Sequence, residues 1–543
     1  MRHRAITSTL VVGAVFGALS TAAAFADSPW WDGPVLDVIP DRPTALQTPP
    51  PEVETMDETQ VAAVSLDLDL PPPPTPEANG AGAATGSGDP ADGSGDATDG
   101  SGEIAQVVAV HDPRLVALRQ RMTELATQLG APTQTIERPC LVEDAHGCQR
   151  RQLDRFYSRL ADVALGEATE PVRYSQFGDS LSMGDGFCGE LRRLMQNQFG
   201  DGGHGFVYMG HPERTVGAED ITVSYSDQWS VRTVVHHTAS DPLFGFAGAA
   251  FTPNGSPTIS LRFTESGIGS SVDRVGLLFF PRAASFELGV REDDDWRAQT
   301  LDVTSGSSTL EWIDLADGTD RVIVSGFDSR AIWFGAIAEN TGPGVVVDNV
   351  GLVSGRMNQL DDIGEEHWRD QVRLRGTDVL SFIYGVNAAE DTSAAAYQGR
   401  IPRYTEEYAE ILERVRRSMP ERDCLVMSML TRGRRSGGGI ETIDSVPLLV
   451  DAQADAAQQQ NCAFWNTYEA IGGDDAASDW NAARPQLLGS DLTHPTNAGY
   501  DELARRFYVA LIHGFVEYLD ERLARPADAP TPDWDALEAA SAP

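Results

Sequence analysis

The sequence predicts an α/β fold built on a parallel sheet, with an all-β sandwich inserted into it. Short apolar strands alternate with amphipathic helices on both sides of a stretch that contains strands only, and such alternation indicates a parallel three-layer sheet. The intervening stretch, residues 211–345, consists of alternating patches such as 258–263 and 320–324 separated by Gly, Ser and Asp turns. Residues 27–107 have a composition that builds no core. We therefore expect a disordered N-terminal linker, an α/β domain and an inserted β-sandwich.

The first 26 residues have the features of a secretory signal peptide. Arg2 and Arg4 supply the positive start, residues 10–19 an apolar stretch, and residues 24–26 a small-residue cleavage site. This stretch is too short to span a bilayer, and no later run is long enough, although an uncleaved anchor is the alternative. We expect export to the periplasm or the extracellular space, with no integral membrane segment in the mature chain.

Residues 27–107 are expected to form an acidic linker. Pro-rich pieces at 49–51 and 71–74 are followed by Asp-, Gly- and Ser-rich sequence at 86–96. Calcium loops are the alternative, but the spacing does not fit the alternating acidic pattern with a closing Glu. Two helical stripes then predict a helical cap region over residues 108–168, and residues 524–543 are expected to form a flexible tail.

Charge and cysteine content exclude several classes of partner and site. The formal net charge is −40 and the chain has no lysine, so nucleic acid and anionic membrane surfaces are disfavoured. Cys140 and Cys148 bracket a short polar loop and are candidates for a disulfide in an exported chain, while Cys188, Cys424 and Cys462 lie in apolar contexts and are expected to be buried thiols. No Cys-x-x-Cys or His-x-x-x-His pair occurs, so no metal site is expected.

The α/β domain is expected in two parts, residues 169–210 and 346–523. Strands are predicted at 172–177, 345–352, 379–384, 424–430 and 462–466, and helices at 184–199, 404–419 and 497–523. In parallel sheets, active sites form where the strands end at their carboxyl edge. Ser180, Gly355 and Asn387 each follow a predicted strand, so they are expected to share one site.

The residues at these strand ends are those of an ester-cleaving site. Ser180 is the candidate nucleophile, which needs a base to take its proton. His494 is the candidate base, and Asp491, three residues before it, can orient the imidazole. A tetrahedral oxyanion needs preorganised donors, and the candidates are the backbone N–H groups of Ser180 and Gly355 and the side-chain amide of Asn387. No organic cofactor is needed.

Other polar residues near this site are expected to have ordinary structural roles. Asp179 is expected to be a turn residue. Arg192 and Arg193 are expected on the solvated face of the first helix. Surface positions are expected for four histidines, with a place along the substrate cleft as the alternative for one of them: His204, His211, His236 and His237.

Four short segments resemble the blocks of the SGNH (GDSL-type) hydrolases: Gly178-Asp179-Ser180, the glycine of Ser354-Gly355, Gly385-Val386-Asn387 and Asp491-Leu492-Thr493-His494. The resemblance implies a flavodoxin-like three-layer fold, a Ser-His-Asp triad and an oxyanion hole made by Ser180, Gly355 and Asn387. Gly351 is the alternative for the second block. Residues 184–206 are similar to an exported bacterial subgroup that resembles peptidoglycan O-acetylesterases, which carry a β-sandwich after the first block. Ala388 stands where such proteins often have a glutamate.

We therefore expect an exported serine esterase that removes O-acetyl groups from a polysaccharide. Cell-wall glycan, peptidoglycan included, is the first candidate substrate, and the sandwich is expected to help hold the sugar chain. The alternatives are a general carboxylesterase or lipase, a glycan O-acetyltransferase that uses the same triad, and a non-catalytic glycan-binding protein.

Overall fold

The computed structural model describes Leu70 and residues 111–525, apart from 130–133, 146, 213–217, 219, 237–242, 265–266 and 271. The expectation of a signal peptide, the expected tail beyond residue 525 and the prediction for His237 therefore lie outside the described residues, as does all of the linker except Leu70. That residue is half-buried and packs against the hydrophobic core of the α/β domain. No helix in the described part of the chain is both long and apolar enough to cross a membrane.

The elements alternate as the sequence predicts. The strands are, in chain order, β1 (Cys140–Asp144), β2 (Gly147–Arg151), β3 (Val172–Gly178), β4 (Gly205–Val207), β5 (Ile221–Tyr225), β6 (Trp229–Thr233), β7 (Ala249–Pro253), β8 (Ile259–Phe263), β9 (Arg274–Phe280), β10 (Ser285–Glu292), β11 (Asp295–Asp302), β12 (Thr309–Asp314), β13 (Arg321–Ser325), β14 (Ile332–Glu339), β15 (Val345–Gly351), β16 (Val379–Ile383), β17 (Asp423–Met427), β18 (Gly433–Ser436), β19 (Gly439–Thr442) and β20 (Ala463–Trp465). The α-helices are α1 (Pro113–Leu129), α2 (Asp154–Ala164), α3 (Ser180–Met183), α4 (Gly186–Phe199), α5 (Glu365–Arg375), α6 (Ala394–Tyr397), α7 (Ile401–Ser418), α8 (Ser445–Gln459), α9 (Thr467–Ala470), α10 (Ala476–Ala482) and α11 (Asn497–Ala524).

A five-stranded parallel sheet forms the centre of the α/β domain, which confirms the predicted fold class. Its strand order is β15-β3-β16-β17-β20, and every neighbouring pair is parallel. β3, β16 and β17 are buried along their whole length, as expected of strands covered on both faces. Gly178 pairs with both Gly351 and Ile383, so β3, β15 and β16 end at the same level. The loops that follow them therefore meet at one edge.

Helices cover both faces of this sheet. Side chains of α1, α2, α4 and α11 pack on one face with Tyr174 and Met427. Side chains of α5, α7 and α8 pack on the other face with Phe177 and Phe382. Because successive strand residues point to opposite faces, the two apolar sets alternate along β3. Helices α5 and α8 are absent from the sequence-based prediction, because α5 is mostly charged and α8 is rich in Ala and Gln.

The cap region differs in part from its prediction. Helices α1 and α2 form as the two stripes predict, but an unpredicted antiparallel hairpin, β1–β2, lies between them. A disulfide joins Cys140 and Cys148 across this hairpin. A second disulfide joins Cys424 and Cys462, so the expectation that both are thiols is wrong. The two lie on or next to neighbouring strands β17 and β20, a proximity that their separation of 38 residues hides. Cys188 is a buried free thiol, as expected.

Two antiparallel sheets form the inserted sandwich. One has the order β11-β10-β13-β8-β5, and the other has the order β12-β9-β14-β7-β6, with β4 added beside β14. Strand β4 precedes residue 211, so the sandwich sheet also uses residues from the first part of the α/β domain.

The sandwich and the α/β domain share one hydrophobic core. Phe177, on the strand that leads to Ser180, packs edge-on against Phe246 of the sandwich with ring centroids 6.1 Å apart. The Trp368 indole N–H on α5 donates to the Phe246 carbonyl at 3.1 Å. Buried ion pairs cross the same boundary, since Glu339 on β14 accepts from Arg173 on β3 and from Arg375 on α5. The inserted segment is therefore part of the packing behind the nucleophile strand.

Candidate active site

Ser180 and His494 meet at the carboxyl edge of the sheet, although they are 314 positions apart in the sequence. Ser180 opens the short helix α3 directly after β3, and Asp179 caps that helix by accepting from the Leu181 N–H at 3.1 Å. His494 lies in the turn before α11, in which Leu492 has a left-handed φ of 57°. This turn is fixed by a hydrogen bond from the Gly489 N–H to the His494 carbonyl at 2.8 Å.

The structure brings the three predicted triad residues into one hydrogen-bonded chain. Ser180 Oγ lies 2.8 Å from His494 Nε2, and His494 Nδ1 lies 2.6 Å from Asp491 Oδ2. These distances lie within the hydrogen-bonding range expected of a nucleophile, its base and the group that orients the base. The His494 and Asp491 side chains are 39% and 44% exposed, so the site opens to solvent.

Asp491 is held as an acceptor by its own turn. Its Oδ1 accepts from the backbone N–H groups of Thr493 and His494, both at 3.1 Å, which leaves Oδ2 for the imidazole. Burial raises the pKa of Asp491, but the hydrogen bond and the charge of His494 outweigh that effect, so the pKa lies below its usual value. An ionised Asp491 favours the His494 tautomer with a proton on Nδ1, which leaves Nε2 free to accept from Ser180.

The predicted oxyanion donors differ in whether their N–H groups already donate a hydrogen bond. The Ser180 backbone N–H makes no hydrogen bond within the described chain. Asn387 Nδ2 donates to the Gly355 carbonyl at 3.0 Å, which orients the amide and leaves its second hydrogen. The Gly355 N–H, however, donates to the Leu352 carbonyl at 3.0 Å and closes a turn in which Ser354 has a φ of 61°. For Gly355 to act as a donor, this bond must be shared or the turn must open.

Gly351, the alternative for the second block, is also engaged. Its N–H points to Asn349 Oδ1 at 3.3 Å, inside the paired end of β15. The N–H groups of both glycines are therefore already engaged. The role of Gly355, or of Gly351 as its alternative, in the oxyanion hole stays a prediction.

Two arginines that the sequence did not single out hold the loop that carries Asn387. Arg356 Nη2 donates to the Asn387 carbonyl at 2.9 Å. Arg432 Nη1 donates to the Ala389 carbonyl at 2.7 Å and to the Val386 carbonyl at 3.3 Å. Because each arginine is distant in sequence from the loop, no local pattern indicates these contacts. Together they fix the backbone on both sides of the predicted oxyanion amide.

Gly385 lets this loop pass close to its neighbours. It has a φ of 136°, and a Cβ there would lie 2.9 Å from both Gln453 Nε2 and Met429 Cβ. A side chain at this position would move the loop, so glycine is required before Asn387.

Asp179 is fully buried beneath the nucleophile. Burial raises the pKa of its carboxyl to about 7, and the Leu181 N–H and the charge of His494 only partly oppose this shift. Its capping bond agrees with the expected structural role.

The shift at Asp179 predicts that folding stability falls as pH rises. In the unfolded chain the carboxyl titrates near pH 4, so between about pH 4 and 7 the folded state binds more protons and is stabilised at the lower pH. Asp179→Asn mimics the protonated form. We expect its free energy of unfolding, relative to that of the wild type, to rise by on the order of 3 kcal/mol from pH 5 to pH 8. Urea unfolding of both proteins at the two pH values measures this difference. A difference that does not change with pH would contradict the prediction.

Arg192 and His204 lie in a buried ionic cluster, so their expected surface positions are wrong. Arg192 donates to both carboxylate oxygens of Asp185 at 3.0 Å and to the Val347 carbonyl. It also donates to Asp220 at 3.2 Å, and His204 Nδ1 lies 2.9 Å from the same carboxylate. An amphipathic helix pattern predicts that charged residues are exposed. Arg192 can be buried because Asp185 and Asp220 pair with its charge.

The ligand atoms of Asp185, His204 and Asp220 lie within 4.8 Å of one another, as in a metal site. The Arg192 guanidinium already donates to both carboxylates and balances their charge. The cluster therefore fits an ionic link between the sandwich and the turn after Ser180.

The remaining predicted residues lie apart from the triad. Arg193 pairs with Glu190 of its own helix at 2.7 Å. The His211 ring packs edge-on against Tyr225 of the sandwich, and His236 ends a 3-10 turn there. Pro495 precedes Thr496, whose side chain caps α11 by accepting from the Gly499 N–H.

Comparison with known proteins agrees with this architecture. Residues 308–502 match the GDSL-like lipase/acylhydrolase family. The match includes Asn387, Asp491 and His494 but not Ser180. None of the curated proteins is significantly similar to the chain.

Among solved structures, a peptidoglycan O-acetylesterase superposes with a TM-score of 0.54 at 20% identity, over 68% of this chain and 96% of its own. A GDSL-like lipase from Parabacteroides merdae has a TM-score of 0.24 at 21% identity over 32% of this chain and 74% of its own. A catalytic mutant of an acetylxylan esterase from Geobacillus stearothermophilus has a TM-score of 0.22 at 21% identity over 30% and 71%. Residues 308–502 are therefore similar to the GDSL-like lipase/acylhydrolase family, and the fold is similar to that of a peptidoglycan O-acetylesterase, and both findings support an ester-hydrolysing serine enzyme.

Proposed function

We propose that the protein is an exported esterase that removes O-acetyl groups from a polysaccharide, with cell-wall glycan as the first candidate. The observation that carries this proposal is the hydrogen-bonded chain from Ser180 through His494 to Asp491. It lies at an open sheet edge, where a polymer can approach. The fold likeness to a peptidoglycan O-acetylesterase, which extends over 68% of this chain, supports the choice of substrate.

In this proposal Ser180 Oγ attacks the acetyl carbonyl carbon while His494 Nε2 takes the hydroxyl proton. Asp491 stabilises the imidazolium that forms. The Ser180 N–H and the Asn387 amide donate to the oxyanion. Collapse of the intermediate breaks the ester bond, and the sugar oxygen takes the proton from His494. Water, deprotonated by the same imidazole, then releases acetate from Ser180.

Acetate release from a panel of acetylated glycans tests the substrate class. We expect release from at least one polysaccharide, and faster hydrolysis of an aryl acetate than of an aryl octanoate. A preference for the octanoate would favour a lipase or general carboxylesterase. Acetyl transfer to a glycan acceptor without net acetate release would favour an acetyltransferase, and binding without turnover would favour a non-catalytic role.

The proposed role of Asn387 predicts a loss in the chemical step. Because an oxyanion donor acts mainly on the transition state, Asn387→Ala should lower kcat by roughly 10²–10³, with a smaller effect on KM. Steady-state kinetics on an aryl acetate measure both constants. Asn254→Ala is the control, because Asn254 is exposed in the bend after β7 of the sandwich. A change confined to KM in Asn387→Ala would mean that the amide binds substrate in the ground state.

A further inference from the structure

We propose that Arg356 forms a carboxylate-binding subsite beside Asn387, so that the preferred polysaccharide carries an acidic group on the acetylated sugar or its neighbour. This inference rests on the proposed function and narrows its substrate class. It is carried by the position of the guanidinium, by its missing counterion and by the hollow that it lines.

Arg356 is an exposed side chain that is nevertheless held in place. It follows Gly355 and precedes the 3-10 turn Met357–Asp362. Its backbone N–H donates to Gln359 Oε1 at 2.8 Å, and its Nη2 donates to the Asn387 carbonyl at 2.9 Å. The guanidinium is therefore fixed next to the proposed oxyanion donor, and its other N–H groups remain for a ligand.

The charge of Arg356 has no counterion within the described chain. Acidic residues outnumber arginines by 81 to 41, and most arginines in the described ranges pair with a carboxylate. Within the described chain, the Arg356 side chain donates one hydrogen bond, to the Asn387 carbonyl. A carbonyl leaves the positive charge uncompensated, and an arginine fork matches a carboxylate in shape and charge.

A small hollow adjoins this guanidinium. It has a volume of about 60 Å³ and is lined by Arg356, Asn387, Asn358 and Tyr408 among others. That volume accommodates a carboxylate or a few water molecules. Tyr408 is only 1% exposed, and its hydroxyl has no hydrogen-bond partner in the described chain. A buried hydroxyl normally has a partner, so this wall of the hollow carries an unused donor.

The one carboxylate that lines the hollow is already neutralised. Glu407 accepts from Arg403 at 2.7 Å and from Asn358 at 3.0 Å. It does not pair with Arg356, so the subsite keeps a net positive charge. An acidic sugar bound there would place its ring beside Asn387, within reach of an ester at Ser180.

Arg432, on the other side of the Asn387 loop, is the control position for Arg356. Its Nη1 donates to the carbonyls of Val386 and Ala389, and it has no carboxylate partner in the described ranges either. Arg432 is absent from the hollow. Loss of either arginine should loosen the Asn387 loop, but only the loss of Arg356 should change the selectivity for acidic substrates.

The test compares one acetylated, carboxylate-bearing polysaccharide with the same polymer after its carboxylates have been amidated. For wild type, kcat/KM should favour the acidic form by roughly 10- to 100-fold, the size of one or two charge-assisted hydrogen bonds. In Arg356→Ala this ratio should fall to about 1, mainly through KM. Arg432→Ala should lower activity on both forms alike and keep the ratio. A wild-type ratio near 1, or an unchanged ratio in Arg356→Ala, overturns the subsite.

A binding measurement separates this inference from the proposed function. In a Ser180→Ala background, calorimetry should detect binding of the deacetylated acidic oligosaccharide. Adding Arg356→Ala should lower the affinity about tenfold or more, and the affinity should weaken as the salt concentration rises. Binding that is unaffected by Arg356→Ala overturns the subsite. If the subsite binds but no polysaccharide releases acetate, the proposed function fails and the subsite stands.

Discussion

Replacement of Ser180 by alanine should abolish ester hydrolysis and leave the fold intact. The hydroxyl contacts His494 and makes no other hydrogen bond in the described chain, so its removal costs little packing. Loss of a triad nucleophile lowers kcat by on the order of 10⁶. Kinetics on an aryl acetate measure the loss, and circular dichroism checks the fold.

A fluorophosphonate probe identifies the nucleophile independently. It should label Ser180 in the wild type and nothing in Ser180→Ala. Ser182→Ala is the matched control, because Ser182 lies in the same short helix but its hydroxyl has no partner and does not reach His494. Labelling of another serine, or full activity in Ser180→Ala, would show that the nucleophile lies elsewhere.

Replacement of Arg375 by alanine should destabilise the whole protein. Arg375 is completely buried and donates to both oxygens of Asp348 at 2.8 Å and to Glu339 at 2.6 Å. Burial raises the pKa of Glu339, but Arg375 and Arg173 overcome that effect and lower the pKa to about 2. Breaking such a network leaves buried carboxylates without their cation, which costs about 3–5 kcal/mol.

Urea unfolding measures this loss, with an exposed arginine as the control. Arg417 pairs with Glu365 at 2.8 Å and is 55% exposed, so Arg417→Ala should cost less than about 1 kcal/mol. An equally small loss in Arg375→Ala would mean that the remaining partners, Arg173 and water, compensate for the missing guanidinium. That result would contradict the prediction.

The same network changes what is expected of the inserted sandwich. If residues 212–340 form a separate sugar-binding unit, their replacement by a short loop should spare hydrolysis of a small aryl acetate. That replacement removes Glu339 and Asp220, and with them one carboxylate partner of each of the buried arginines Arg173, Arg192 and Arg375. It also exposes the Phe177 side of the sheet. We therefore expect the shortened chain not to fold, and a sugar-binding role of the sandwich is better tested by single surface substitutions.

The sequence alone indicated the α/β class, the inserted strands and which residues share the edge of the sheet. These inferences succeeded because strand and helix periodicity is a local property, and because parallel strands all end at one edge. The strands predicted around Ser180, Gly355 and Asn387 match the observed ones to within three residues at each end. The spacing of Asp491 and His494 placed both in one turn, where a three-residue separation suffices for contact.

Only the tertiary structure decided which residues from distant parts of the chain contact one another. Arg192, read from its helix alone, belongs on the surface, and it is buried because Asp185 and Asp220 meet it. Cys424 and Cys462 pair because β17 and β20 are neighbours in the sheet. The physical reason is the same in each case. Hydrophobic periodicity specifies which face of an element is buried, whereas the partner of a buried charge, thiol or N–H depends on which elements pack together.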